Sequence, residues 1–311
     1  MIALVGYTGF VGSNVLESSS GRIDALYNSK NIFESYETCP DVLIYSGLRA
    51  EKYLANKSPD KDMELIEIAK NNISRIKPRK LVLISTIDVF KKPVDVDENS
   101  PVDTNGQNAY GLNRFKLEQW VRVNYPDALI IRLPGLFGKN IKKNFIYDFI
   151  NIIPSMLKES KFEELSAANP ELKSFYVKQD NGFYKVVVQD NDKDHLRSIF
   201  REIGFSALNF TDSRSVFQFY DLSRLWDDIN ICLSEELTLF HPATEPVRAS
   251  EIYEYLTGSV FYNELESPPA YYDYKTIHSL MFGGKDGYLY RKEKVLEEIK
   301  RFVEDYGSIH L

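Results

Sequence analysis

The sequence is poor in cysteine and has no long hydrophobic run. Among its 311 residues the only cysteines are Cys39 and Cys232, which lie far apart and lack the spacing of metal ligands. This argues against a disulfide framework and favours a reduced, cytoplasmic protein. No apolar segment approaches the roughly 20 residues that a membrane-spanning helix needs. Strand-forming residues begin at Ile2, so we expect neither a membrane partner nor a signal peptide.

Positive charges are outnumbered by negative ones, and histidine is scarce. The chain has 38 Lys and Arg against 45 Asp and Glu, a net charge of −7, which argues against nucleic acid or an anionic membrane as the main partner. We predict no metal site, because none of the histidines has metal-ligand spacing; they are His195, His241, His278 and His310. With 43% hydrophobic residues, the chain is long enough for one large domain plus a smaller one.

Three glycines, each separated by two residues, follow the first apolar run of the chain. Ile2–Val5 is typical of a buried strand, and Val11–Ser18 is compatible with a helix. A glycine-rich turn between a strand and a helix can bind a diphosphate, because its amides and the positive end of the helix face the anion. The alternative is a turn without a ligand. The residues predicted to contact a dinucleotide are Gly6, Tyr7, Thr8, Gly9, Phe10, Val11 and Gly12.

Strands and helices alternate through the first half of the sequence. The apolar runs predicted as strands are Ile2–Val5, Asp24–Tyr27, Val42–Tyr45, Leu81–Ile84 and Ala128–Ile131. Amphipathic helices are predicted at Lys61–Ile76 and Tyr110–Val123. Continuous apolar strands that alternate with helices indicate an α/β fold, in which a parallel sheet is covered on both faces.

A second group of polar residues follows the strand Leu81–Ile84. Ser85 and Thr86 fall at the carboxyl end of that strand, where open α/β sheets bind ligands. Tyr110 and Arg114 are four residues apart on the next helix, so the cation can lower the pKa of the phenol. Tyr110 could then act as a general acid or base while Thr86 binds the same substrate oxygen. The alternatives are a tyrosine that packs on the sheet and a hydroxyl that binds a loop amide.

The glycine spacing, Thr86 and Tyr110 resemble the extended short-chain dehydrogenases/reductases, in their sugar-nucleotide epimerase/dehydratase branch. Glu118 matches an acidic residue commonly found eight positions after the family's tyrosine, whereas Arg114 replaces the family's lysine. The two cations are not equivalent, because the guanidinium is a planar fork. The resemblance implies a Rossmann-type doubly wound parallel sheet with a smaller, mixed α/β C-terminal substrate domain. The predicted nucleotide-binding domain is 1–150 with a return at 205–235, and the substrate domain is 151–204 and 236–311.

The same resemblance assigns further residues to the cofactor. Those predicted to contact it, besides the glycine turn, Tyr110 and Arg114, are Ser46, Gly47, Ser85, Pro134 and Gly135. The second strand is followed by Asn28, Ser29 and Lys30 instead of the acid that would bind the ribose of NAD and repel a 2′-phosphate. We therefore predict that NADP is preferred over NAD.

Substrate contacts are predicted at Asp88, Lys143 and Arg214. Asp88 occupies the position of a catalytic base in dehydratases and decarboxylases of this family, or is a surface aspartate. Lys143 belongs to a basic cluster suited to a diphosphate or simply to solvent, and Arg214 either binds a diphosphate or pairs with a nearby acid. The aromatic segment Tyr271–His278 is a further candidate for the cleft.

The main functional hypothesis is an NAD(P)-dependent oxidoreductase or epimerase that acts on a nucleotide-sugar or a similar hydroxyl or carbonyl compound. In it Tyr110 moves the proton, Thr86 orients the oxygen, and Arg114 holds the ribose. The alternatives are a non-catalytic NADP-binding sensor, which the replaced lysine suggests, and a sugar-nucleotide dehydratase or decarboxylase that uses Asp88. A homodimer is expected by analogy with the family.

Overall fold

The computed structural model describes residues 1–310, and the side chains of residues 1–306. The strands are β1 Ile2–Val5, β2 Ala25–Tyr27, β3 Val42–Tyr45, β4 Lys80–Thr86, β5 Leu129–Leu133, β6 Gly135–Phe137, β7 Met156–Lys158, β8 Tyr176–Lys178, β9 Phe183–Val186, β10 Val216–Phe217, β11 Phe219–Asp221, β12 Leu239–Phe240 and β13 Val247–Arg248. The α-helices are α1 Phe10–Ser18, α2 Lys52–Lys57, α3 Pro59–Ile76, α4 Ala109–Asn124, α5 Phe145–Asn151, α6 Glu159–Ala168, α7 Lys193–Ile203, α8 Leu225–Ser234, α9 Ala249–Thr257 and α10 Lys292–His310.

The chain packs as two compact units. The first consists of residues 1–141, 216–247 and 271–302, and the second of 142–215, 248–270 and the described residues from Val303 onward. These bounds differ from the sequence-based division. Residues 142–150 and 205–215 pack in the second unit, and 236–247 and 271–302 pack in the first. The assignment of one part to the nucleotide and the other to the substrate stays a prediction; of the predicted substrate domain, Leu311 lies outside the described residues.

A parallel sheet forms the centre of the first unit. Its six strands have the order β2-β1-β3-β4-β5-β12, and every neighbouring pair is parallel. Alternate strand residues face opposite sides because the side-chain period of a strand is two. Leu4, Ile44 and Val82 pack in one core cluster with α1 and α8, and Leu43 and Leu81 pack in a second with α3 and α4. The predicted α/β fold class is confirmed.

Helices α3 and α4 begin where the sequence provides start signals. Pro59 occupies the first position of α3, where its missing N–H costs no hydrogen bond. The Asn108 side chain caps α4 by accepting from the Gly111 amide at 3.0 Å. Both helices lie within two residues of the predicted bounds. In the part of the chain that the structure describes, no helix is both long enough and apolar enough to cross a membrane.

The second unit has its own sheet and core. Its three strands have the antiparallel order β7-β9-β8. The core combines residues of these strands with helices α6 and α7: Leu157, Phe162, Leu165, Leu172, Tyr176, Leu196, Ile199 and Phe200. This unit is therefore a small mixed α/β structure.

Candidate active site

The glycine turn connects β1 to α1 in a conformation that requires its glycines. Gly6 has a φ of +91°, and a Cβ atom there would lie 2.6 Å from the Ser46 carbonyl oxygen. A Cβ atom at Gly12 would lie 2.2 Å from the Gly6 carbonyl oxygen. Gly9 precedes α1 and provides no side-chain cap, so the first-turn amides of the helix are not bonded to a capping side chain. The turn therefore presents backbone amides and a positive helix end to an anion.

This turn lies at the point where the sheet changes direction. The chain places β2 on one side of β1 and β3 on the other, and ligands of open α/β sheets bind outside the strand ends at such a point. The Ser46 hydroxyl at the end of β3 donates to the Val5 carbonyl oxygen at 2.9 Å. Ser46 and Gly47 thus border the glycine turn, as expected if they contact a cofactor.

Other residues of the turn contribute through their backbone. Tyr7, Phe10 and Val11 are partly buried against the core cluster behind the sheet, whereas Thr8 is exposed. Phe10 and Val11 have apolar side chains, so any contact of these two with an anion would use main-chain groups. Their roles as cofactor contacts remain predictions.

The loop after β2 is ordered by asparagine side chains. The Asn28 side chain accepts from the Lys30 amide at 2.8 Å, and Asn31 accepts from the Asn28 amide at 2.8 Å. Ser29 and Lys30 are exposed. Positions 28–30 therefore provide hydrogen-bond donors and one positive charge, and none of the three residues is a carboxylate.

Tyr110 and Thr86 meet at the carboxyl end of β4. The first turn of α4 lies against the loop after β4, since a Cβ atom at Gly111 would be 2.1 Å from the Asp88 carbonyl oxygen. This close approach places the buried Tyr110 phenol beside Thr86, near enough for Thr86 to influence its pKa. The Tyr110 amide donates to the Asn56 side chain of α2 at 2.9 Å, which fixes the start of the helix. The sequence-predicted pair is thus brought together.

Arg114 is bound by groups that the sequence analysis did not include. Its guanidinium donates to the Asp62 carboxylate and, at 2.7 Å, to the Arg49 carbonyl oxygen. Arg114 is 4% exposed and Asp62 is 6% exposed. The guanidinium carbon lies 4.3 Å from the centre of the Tyr110 ring, so it stacks on the ring face. In the resting protein, Arg114 is therefore part of a buried ion pair.

The electrostatic environment keeps Tyr110 protonated. Burial raises its pKa, and this effect exceeds the opposing effect of Arg114, which lowers it as the sequence predicts. The carboxylates of Asp88 and Asp62 also raise the pKa, while the neighbouring Thr86 lowers it. The net pKa is therefore above the usual value instead of below it, because the side chain is desolvated and the guanidinium has a carboxylate partner.

Ser85 belongs to a buried polar network. Its hydroxyl donates to the Glu118 carboxylate at 2.5 Å, and Arg132 donates to the same carboxylate at 2.7 Å. The Arg132 guanidinium also lies 3.4 Å from the His241 ring nitrogen. We call Ser85, Glu118, Arg132 and His241 the buried network. Since its hydroxyl is bonded within the protein, the cofactor role of Ser85 stays a prediction.

Pro134 lies between β5 and β6, and Gly135 is the first residue of β6. The Gly135 amide donates to the Gln218 carbonyl oxygen at 3.1 Å, and a Cβ atom at Gly135 would be 2.9 Å from that oxygen. Glycine is thus required by the pairing of β6 with β11. The predicted contact of Pro134 and Gly135 with a nicotinamide ring is not tested by this packing.

Asp88 is held from two directions by residues that the predicted site lacked. The Tyr272 hydroxyl donates to Asp88 Oδ1 at 3.0 Å, and Lys52 Nζ donates to Oδ2 at 3.0 Å. Tyr272 falls within the aromatic segment that we expected near the cleft, whereas no sequence signal indicated Lys52. Asp88 is therefore held by hydrogen bonds instead of being a solvated turn residue. We call Thr86, Asp88, Tyr110 and Arg114 the Tyr110 site.

The remaining candidates belong to the second unit. Arg214 donates to Asp212 through Nη2 at 2.7 Å and forms an ion pair with Glu264 at 3.0 Å. Its charge is thus compensated locally, the alternative that the sequence left open for this residue. Lys143 is exposed. Among the side chains that the structure describes, no three His, Cys, Asp or Glu residues are grouped as metal ligands; His310 lies outside those side chains.

Comparisons with known proteins identify the fold. No family model and no curated protein matches the sequence. Among solved structures, the NAD-dependent NDP-hexosamine 5,6-dehydratase TunA has a TM-score of 0.64 at 10% identity, over 99% of this chain and 97% of that one. A dTDP-4-dehydrorhamnose reductase from Bacillus anthracis in complex with NADP has a TM-score of 0.61 at 16% identity, over 98% of both chains. A short-chain dehydrogenase/reductase superfamily protein from Agrobacterium tumefaciens with bound NAD has a TM-score of 0.60 at 15% identity, also over 98% of both.

The expected fold is thereby confirmed. The chain has the fold of the extended short-chain dehydrogenases/reductases over nearly its whole length. At these identities the likeness concerns the fold, because one fold supports many activities. The activity has to be argued from the site.

Proposed function

We propose that this chain is an NAD(P)-dependent oxidoreductase or epimerase that acts on a nucleotide-sugar or a similar hydroxyl or carbonyl compound. The observation that carries the proposal is that the buried Tyr110 phenol lies beside Thr86 at the carboxyl end of β4, where Thr86 acts on its pKa. The glycine turn follows β1 at the same edge, separated from β4 by one strand. At about 4.8 Å per strand spacing, the two features are roughly 10 Å apart. Solved structures with this fold include enzymes of nucleotide-sugars.

The residues present fit a dinucleotide. A Cβ atom at Gly6 or Gly12 would collide with a backbone carbonyl oxygen of Ser46 or Gly6, so the tight turn needs glycine at both positions. The first-turn amides of α1 would bind the diphosphate. A ribose 2′-phosphate would be bound by Asn28, Ser29 and Lys30. We therefore propose that NADP binds more tightly than NAD. Ser46 and Gly47 would contact the adenosine side. When bound, the nicotinamide ring accepts or supplies a hydride.

Tyr110 and Thr86 would handle the proton at the substrate oxygen. Because burial keeps the phenol protonated, Tyr110 is set to donate its proton to an oxygen that gains negative charge. Thr86 would hold the same oxygen. Arg114 would keep the Tyr110 ring in place by stacking on its face, and its contact with the ribose is part of the proposal.

Removing the phenolic oxygen tests this assignment. Tyr110→Phe should abolish turnover and leave cofactor affinity within a few-fold, because only the proton-transferring group is lost. Tyr125→Phe, near the far end of the same helix, should retain turnover. The assay is the absorbance change of reduced nicotinamide with a panel of nucleotide-sugars. Retained turnover in Tyr110→Phe would overturn the assignment.

The cofactor preference has its own test. Titration with NADPH and NADH, followed by the fluorescence of the bound reduced ring, should give tighter binding of NADPH. Lys30→Ala should reduce the difference, since one charge near the 2′-phosphate is removed. Equal affinities of the unmodified protein for the two cofactors would contradict the preference.

A second candidate function is a cofactor-dependent sensor without catalysis. It is favoured by Arg114, whose guanidinium is bonded to Asp62 and to the Arg49 carbonyl. A sensor should lack activity with every candidate substrate, and the Arg114→Lys variant should also be inactive. Its affinity for a partner protein should change when NADP is added. Partner binding that does not depend on the cofactor would exclude this function.

The homodimer also stays a prediction, which analytical ultracentrifugation can check.

A further inference from the structure

The site contains a second phenol next to Asp88. Tyr272 comes from the segment before α10, Asp88 from the short 3-10 turn Ile87–Val89, and Lys52 from α2. Their hydrogen bonds to the carboxylate, both 3.0 Å long, occupy one oxygen each. The Asp88 side chain is 18% exposed, and the Tyr272 ring stacks near Phe217 at 6.4 Å. Three distant parts of the sequence thus converge on one carboxylate.

The two phenols share this carboxylate electrostatically. Asp88 raises the pKa of Tyr110 and of Tyr272, and Tyr110 also raises the pKa of Tyr272. Burial is the main reason why the pKa of Tyr272 is raised far above its usual value, with Asp88 raising it further. A free phenolate at position 272 is therefore too costly near neutral pH. Tyr272 can accept a proton only if its own proton passes to Asp88 in the same event.

Such a pair exceeds what a simple carbonyl reduction needs. Reduction requires one proton donor at the carbonyl oxygen, and Tyr110 with Thr86 provides it. A second acid–base pair is needed when a hydrogen on the neighbouring carbon is removed, as in an epimerisation or an elimination. The arrangement thus indicates chemistry at carbon in addition to hydride transfer.

We propose that Tyr272 is a second proton-transferring residue of the site, which relays a proton from the substrate carbon next to a carbonyl to Asp88. This rests on the proposed function, because the carbonyl belongs to its keto-sugar substrate. The C–H bond breaks, its proton binds Tyr272 Oη, and the phenolic proton of Tyr272 moves to Asp88 Oδ1. The electron pair forms an enolate whose oxygen is bound by Tyr110 and Thr86. The proton on Asp88 exchanges with solvent. The two proton transfers then run in reverse, and the C–H bond forms again with a hydrogen from solvent.

Lys52 has a positioning role in this proposal. Its ammonium binds Oδ2 and leaves Oδ1 to face Tyr272. Because the Lys52 side chain is 45% exposed, its interaction is weakened by solvent. Its loss should slow the relay without stopping it.

The test supplies the carbonyl directly and does not depend on hydride transfer. A nucleoside-diphosphate 4-keto sugar is incubated with the protein in deuterium oxide, and incorporation beside the carbonyl is followed by mass spectrometry and NMR. The unmodified protein should exchange this hydrogen. Tyr272→Phe and Asp88→Asn should each lower the exchange rate by about 100-fold or more, the usual scale of general acid–base catalysis. Lys52→Met should lower it by less than about tenfold.

Matched variants separate the relay from structural damage. Tyr125→Phe removes a hydroxyl just after the end of α4, where it binds the Ile73 carbonyl oxygen, and should leave exchange unchanged, as should Lys57→Met on α2. Tyr272→Phe retains the ring that packs near Phe217, and its melting temperature checks the fold. Exchange by Tyr272→Phe at the rate of the unmodified protein would overturn the relay, as would an equal loss in Tyr125→Phe.

The two proposals can fail separately. Hydride transfer without any exchange at carbon would contradict the relay and leave the oxidoreductase proposal standing. Exchange that depends on Tyr272 but occurs without hydride transfer to any cofactor would contradict the oxidoreductase and retain the relay. The absence of both reactions in the unmodified protein would overturn both.

Discussion

The glycine turn and the Tyr110 site lie at the same edge of one sheet but are stabilised differently. In the turn, the shape is fixed by close contacts with the backbone, such as those of Gly12 with the Gly6 carbonyl and of Gly6 with the Ser46 carbonyl. In the Tyr110 site, side chains from distant segments determine the environment, because Asp62 binds Arg114 and Tyr272 binds Asp88. A motif that acts through its backbone can be recognised from a short segment of sequence. The protonation state of a buried side chain cannot, because it depends on tertiary partners.

The largest effect should come from breaking the Arg114 ion pair. Asp62→Ala leaves a buried guanidinium without its carboxylate, and we expect a loss of about 3–5 kcal/mol in the free energy of unfolding. Urea denaturation measures it. Asp60→Ala, at an exposed position of the same helix, should cost less than about 1 kcal/mol. A similar cost in both variants would mean that the pair contributes nothing specific.

The glycine turn should respond to a single methyl group. In Gly12→Ala the added carbon would meet the Gly6 carbonyl at 2.2 Å, whereas in Gly9→Ala the nearest atom is at 3.2 Å. We expect Gly12→Ala to cost about 1–3 kcal/mol of stability and to weaken nucleotide binding, with a smaller change for Gly9→Ala. Thermal unfolding and NADPH titration give both quantities. Equal effects at the two positions would refute the geometric argument.

The buried network beside the Tyr110 site predicts a pH dependence. Burial, with the charge of Arg132, lowers the pKa of His241 from 6.5 to about 3. Between these values the unfolded chain binds a proton that the folded one does not, so this group destabilises the fold as the pH falls. The slope is at most about 1.4 kcal/mol per pH unit. His241→Asn should flatten that part of the profile in urea denaturation; an unchanged slope would show that His241 does not titrate in this way.

The smallest effect is expected at the exposed side of the site. Lys52→Met removes an ion pair with Asp88 that is 45% exposed on the lysine side, and we expect a change below about 1 kcal/mol in stability. Lys57→Met provides the comparison on the same helix. If Lys52→Met lowered the free energy of unfolding by several kcal/mol, the Lys52–Asp88 pair would contribute as much as a buried ion pair, contrary to this prediction.

Much of the fold was predictable from the sequence. The five predicted strands and the helices Pro59–Ile76 and Ala109–Asn124 depend on apolar periodicity, which the core preserves. The bounds of the compact units were not predictable, because residues 271–302 return to the first unit through packing without a local motif.

The candidate site was predictable only in part. Thr86 and Tyr110 meet as expected, but Lys52 and the partners of Arg114 were missed. Asp62 did carry a signal, since it is in phase with Ile66 and Ala69 on the buried face of α3. A charge on such a face needs a partner. Which cation would bind it could not be read from spacing, because the two lie on different helices.

The pairing of Asp62 with Arg114 has a consequence for how this chain can change by mutation. Each member makes the other's replacement costly, so the two positions should be epistatic, with double variants that are not the sum of their single ones. An ammonium at position 114 would keep the charge but lose the planar fork that bonds Asp62 and the Arg49 carbonyl together. A change at Arg114 therefore alters the stability of the fold, whatever its effect on catalysis.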